Sequence, residues 1–101
     1  MIKDIMKLHK SNEANKYRAC VSKSKHPDLK KLAAWQAKIL KVVKSKDADA
    51  KKFIKLVYLT RSMERQLPMK KLMQTVRKEC KSEHDSIVKL TKKMKLPVKK
   101  Y

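Results

Sequence analysis

The residues of this sequence able to make or break bonds are three histidines, two cysteines and nine carboxylates, and their spacing limits what they could do together. His9, His26 and His84 are scattered, and none has a Ser or Cys nucleophile or a carboxylate pair near it in a pattern that generalises across catalytic families. Surface or helix-capping roles account for all three. Cys20 and Cys80 lie 60 positions apart with no CxxC or Cys/His ligand spacing, so local sequence builds neither a zinc site nor a redox motif. They read as free thiols facing a core, with a single disulfide as the alternative. No metal and no cofactor are expected, and the chain reads as a non-enzyme.

Far more abundant are groups that neutralise negative charge. The chain carries 29 Lys and Arg against nine Asp and Glu, a formal net charge of +20 on 101 residues. Only Arg18, Arg61, Arg65 and Arg77 are arginine. Lysine is a hydrated point charge, whereas arginine presents the fork that reads guanine edges or grips phosphate at two points. Such a surface suits non-specific phosphate neutralisation better than base-sequence readout.

The cations also cluster. Between Leu29 and Lys46 stand Lys30, Lys31, Lys38, Lys41, Lys44 and Lys46 without one acid, and from Ser86 onward Lys89, Lys92, Lys93, Lys95, Lys99 and Lys100 repeat the pattern. Lys70, Arg77 and Lys81 share one side of a helix, and Lys71 and Lys78 a neighbouring side. Lysines that merely solubilise a surface are interspersed with acids, and that balance is missing here. A charge of this size repels itself and weakens the folded state, so a polyanion that relieves it is implied, nucleic acid foremost. The candidate phosphate contacts are Lys30, Lys31, Lys38 and Lys41, with Lys70, Lys71, Arg77 and Lys78, and with Lys89, Lys92 and Lys93.

The elements that position these residues are helices. There is no glycine and there are only three prolines, so the residues that supply positive φ in hairpins and phosphate-cradling loops are missing. Lys, Leu, Ala, Met, Gln and Glu dominate, and these lose least on entering a helix. A 42% apolar content can build a helical core, while 38% charged residues leave little surface that is not ionic, which argues against a large hidden cavity. The length bounds the chain to one domain, residues 1–101.

Along the chain, residues 2–21 read as one helix with a break at Ser11-Asn12 or as two short ones, with Ile2, Ile5, Met6 and His9 on one face. Pro27 and Asp28 open a second helix that runs to about Lys44. Asp47 reads as the N-cap of a third, whose Ala50, Phe53, Ile54, Val57, Leu59, Met63 and Leu67 spread over more than half the circumference, the pattern of the most buried helix. After Pro68, Met69, Leu72, Met73, Val76 and Cys80 keep a clean helical stripe. Asp85 or Ser86 caps a last helix bearing Ile87, Leu90, Thr91 and Met94, which Pro97 stops, leaving 96–101 as a frayed tail. The fold expected is all-α, a single compact bundle of four to five short antiparallel helices.

Acids are placed to support that reading. Asp28, Asp47, Asp49, Glu83 and Asp85 fall at helix starts, where a carboxylate caps free N–H groups and opposes the dipole. The helix faces are thereby left positive. Trp35, Tyr17, Phe53 and Tyr58 read as core, and so few aromatics give base stacking a weak platform.

His26-Pro27-Asp28, with Tyr17-Arg18 upstream, resembles the HPD tripeptide of J-domain co-chaperones; the same three residues also read as a capped helix start. Residues 47–95 resemble the closing half of the N-terminal helical domain shared by transcription elongation factor S-II, elongin A and a Mediator subunit. The resemblance lies in LPMKKLMQT (Leu67 to Thr75), Val76-Arg77-Lys78 and IVKLTKKMK (Ile87 to Lys95). It implies a helical bundle that docks disordered peptides of the transcription machinery.

The functional expectation is a basic helical module that binds DNA or structured RNA through lysine–phosphate contacts with little sequence specificity, in transcription, chromatin or genome packaging. Its rival is a protein-interaction module in which lysines meet acidic peptide segments. A cationic membrane-surface protein is weaker, given one Trp and a well-distributed bundle pattern, and no membrane partner is expected. The N-terminal MIKDIMKLHK is too charged for a signal peptide and no run approaches 18 apolar residues, which points to an intracellular, reducing location: nucleus, cytoplasm or virion.

Overall fold

The structure, a computed structural model, describes residues 1–97. They form six helices and no strand: α1 (Ile2–Lys10), α2 (Asn12–Lys23), α3 (Pro27–Val43), α4 (Asp49–Gln66), α5 (Met69–Glu79) and α6 (Lys81–Lys93). The all-α expectation holds, with six helices in place of four to five. One local cause raises the number, and a second moves a boundary. The opening segment is two helices, because Ser11 ends one and starts the next: its Oγ donates to the Leu8 carbonyl at 2.7 Å and accepts from the Ala14 N–H at 3.1 Å. Downstream, the chain breaks at Cys80 alone, so α6 begins at Lys81 and not at the Asp85 or Ser86 cap expected.

His26-Pro27-Asp28 starts α3 as a capping unit. The His26 Nδ1 accepts from the Asp28 N–H at 3.2 Å, and Pro27 fills the first turn, where no N–H is needed. Asp47 does not cap α4. Ala48 holds that position without a side-chain bond, and the Asp47 carboxylate instead pairs with Lys55 at 2.8 Å. Asp4, Glu13, Asp28, Asp49 and Glu83 all sit in first turns, so the placement of acids at helix starts extends to two residues that the sequence pattern left out.

The last helix closes without glycine. Lys95 adopts φ 57°, the Leu96 N–H reaches the Thr91 carbonyl at 3.0 Å, and the Lys95 N–H reaches Lys92 at 3.0 Å. This is the Schellman arrangement, with a lysine in the left-handed position that glycine normally fills. Of the expected frayed tail, Leu96 is therefore pinned, and residues 98–101 lie outside the described residues.

Helix α2 packs on both α3 and α6, and α3 packs on α4, giving a row α6–α2–α3–α4; α1 leans on α2, α3 and α4, and α5 touches α6 and α3. The Cα radius of gyration, 13.0 Å, is that of a compact chain of this length. The buried side chains fall into two clusters. The larger joins Val21, Leu29, Leu32, Met63, Leu67, Met69, Leu72, Val76 and Cys80, and the smaller joins Met6, Ile39, Val43 and Leu56.

Two expectations are overturned here. Helix α4 is not the most buried: it lies at the end of the row against α3 and α1, so a single line, Lys52, Leu56 and Met63, faces inward. Ile54 and Tyr58 stand 69% and 68% exposed, so Tyr58 is no core residue. The cysteines are not free thiols either. Cys20 on α2 and Cys80 between α5 and α6 come to a Cα separation of 6.0 Å and are disulfide-bonded. A separation of 60 positions concealed that packing brings the two together, and the bond does not fit the reducing compartment expected.

Candidate nucleic-acid interface

All eleven candidate cations are exposed, and none makes an ion pair among the described residues. Helix geometry explains how they are grouped. At about 100° per residue, Lys30, Lys31, Lys38 and Lys41 fall within roughly 100° of arc on α3. They lie opposite Leu29, Leu32, Ile39 and Val43, whose burial fixes the helix orientation. On α5, Lys70 and Arg77 form one line and Lys71 and Lys78 another, both turned away from buried Met69, Leu72 and Val76. On α6, Lys89, Lys92 and Lys93 lie opposite the buried Thr91.

The packing relates these groups unequally. Helix α5 touches both α3 and α6, so its four cations sit on the element common to the other two groups. Helices α3 and α6 flank α2 in the row, and their lysines are not brought together by a shared contact of this kind. Lys38 is additionally held: its Nζ lies 4.6 Å from the centroid of the Trp35 ring, a cation–π contact worth about 0.5–1 kcal/mol at an exposed site. Trp35 itself packs against the larger core cluster, as expected for the lone tryptophan.

The described acids do not silence this surface. Asp47 is ion-paired with Lys51 and Lys55, neither of them a candidate contact. The hydrogen bond from Lys55 and the charges of Lys51, Lys55 and Lys52 hold the Asp47 carboxyl below its ordinary range. Helix starts hold most of the others.

Two features escaped the sequence pattern. The first is the outward line of α4, where Ile54, Tyr58, Arg61 and Arg65 follow one another at i, i+4, i+7 and i+11, all exposed. It carries two of the four arginines beside an exposed aromatic ring. The i, i+4, i+7 spacing was legible, but an apolar stripe spreading round most of the helix masked which side faced out.

The second is a half-open cavity of about 280 Å³ to which all six helices contribute. Its wall is largely apolar, with His9, Tyr17, Arg18, Gln36 and Thr60 as the members that carry polar groups. Arg18 Nη2 donates to the His9 carbonyl at 2.8 Å and to Asn15 Oδ1, and among the described residues no carboxylate pairs with it. The Gln36 Oε1 is buried and accepts no hydrogen bond, an omission that costs about 1–3 kcal/mol. Burial, and then the charge of Arg18, lower the His9 pKa from its ordinary 6.5.

Among the described residues, no group of three or more His, Cys, Asp or Glu could hold a metal ion, and no helix is long and apolar enough to cross a membrane. Protein-family models, curated proteins and solved structures contain no match to the chain.

Proposed function

We propose that this protein is a non-enzymatic module that binds nucleic acid, duplex DNA or structured RNA, through lysine–phosphate contacts with little sequence preference. One observation carries the proposal: eleven cations on the outward faces of α3, α5 and α6 are exposed and have no carboxylate partner among the described residues. Charges so arranged repel one another at rest and are relieved by a polyanion. Lysine supplies ten of the eleven, which favours point neutralisation of phosphate over base-edge readout. The Tyr58–Arg61–Arg65 line on α4 offers a further contact, a ring on which an unpaired base can stack beside two guanidiniums.

Fluorescence anisotropy with labelled duplex DNA, duplex RNA and an acidic peptide, each titrated across salt, tests this. Neutralising about six phosphates predicts a log K against log salt slope of roughly −5 on duplex DNA. Changing Lys70, Lys71, Arg77 and Lys78 together to Gln makes the slope shallower by about one per lost contact. A duplex affinity indifferent to salt overturns the proposal. Preferred binding of the acidic peptide supports instead the peptide-docking role that the S-II-like resemblance of residues 47–95 implies.

A further inference from the structure

The cavity lies at the seam between the two core clusters, with Leu32, Met63 and Met69 from the larger and Ile39 from the smaller in its wall. A small helical domain normally buries one continuous core, and here the interior separates around an opening. Ligand sites of helical bundles occur at such a centre, and the volume approaches the lower end of the small-molecule range, roughly 300 Å³.

Its polar groups are chemically specific. Gln36 lines the wall, but its Oε1 is closed off from solvent and so from a guest. Arg18 presents a half-buried guanidinium whose hydrogen bonds use Nη2 alone, leaving donors for an anion. The wall also carries methionines, whose flexible thioethers adapt to an irregular apolar guest.

We propose that this cavity binds a small amphipathic organic anion. Its apolar body packs on Met63, Met69 and Ile39, and its carboxylate or sulfonate pairs with Arg18. The site is independent of the outward lysines.

The probe 1-anilinonaphthalene-8-sulfonate has both required parts: an apolar body of fused and single aromatic rings, and a sulfonate. Added to the full chain with its disulfide intact, it should give blue-shifted fluorescence that saturates at one equivalent. Carbon-13 methyl spectra should show Met63, Met69 and Met73 shifting while Met1 and Met94 do not. Arg18→Met should weaken binding by about ten-fold, the loss of one strong hydrogen bond. The triple change Lys89→Gln, Lys92→Gln, Lys93→Gln should leave it unaltered. Should Arg18→Met fail to fold, the stoichiometry together with the methyl spectra still decides. The proposal is overturned if the probe binds at many equivalents, if the lysine variant abolishes binding, or if the three methionine methyls stay in place at saturation.

Discussion

The ammonium of Lys52 donates to the carbonyl oxygen of Val43 at 2.9 Å, from a side chain only 7% exposed. Val43 is the last residue of α3, where carbonyls have no partner within the helix, and Lys52 stands in the first turns of α4. A cation at a helix C-terminus also meets the negative end of the dipole. Among 25 lysines, this one serves the fold and not the surface.

Lys52→Met keeps the aliphatic stem and removes the donor. The variant should lose about 1–3 kcal/mol, the range for a hydrogen bond to a charged group and the carbonyl it leaves unmet. Urea unfolding measures it, with Lys51→Met, an exposed neighbour, staying within about 0.5 kcal/mol of the parent. Equal effects at both positions would show that the Val43 contact contributes nothing.

The Cys20–Cys80 bond closes a loop of about 60 residues, for which chain entropy alone gives about 4 kcal/mol. Reduction, or paired replacement by serine, should lower the urea midpoint by an amount approaching that figure. A midpoint that ignores reductant would mean the bond does not form in solution.

Lys95 holds φ 57° at a cost that glycine does not bear. Lys95→Gly should therefore stabilise by about 1 kcal/mol, raising Tm by roughly 4–8 °C in a domain of this size. A lower Tm would show that the lysine side chain contributes more than its backbone strain removes.

The His9 ring is kept from protonating in the folded state, by burial first and Arg18 second, and titrates at its ordinary 6.5 once unfolded. Below that pH the unfolded chain binds the extra proton, so stability is full above about 6.5 and declines as pH falls toward the depressed folded value. His9→Leu should flatten this decline. Chemical unfolding from pH 8 to 5 reads it, and identical slopes for parent and variant would exclude His9 as the cause.

Much of this architecture was legible where one residue type meets one geometric demand. Met69, Leu72, Val76 and Cys80 face inward at the spacing that defined the fifth helix, Pro27 starts α3, and all eleven candidate cations lie outside. What escaped depends on how many neighbours an element has. Helix α4 carries apolar residues round most of its circumference, yet its place at the end of the row lets only Lys52, Leu56 and Met63 turn inward. No local pattern encodes that number. The cavity and the cysteine pairing escaped for the same reason, since both are built from residues on separate helices.

The division of the interior into two clusters governs how the molecule breathes. The disulfide lies wholly on the side of the larger cluster, whereas the smaller rests on four side chains from α1, α3 and α4. Amide protons of α1 and of the first half of α4 will therefore exchange with solvent through a low-energy partial opening, while those of α2 and α5 await global unfolding. The protein will thus show two tiers of protection, with the boundary running across the middle of α3.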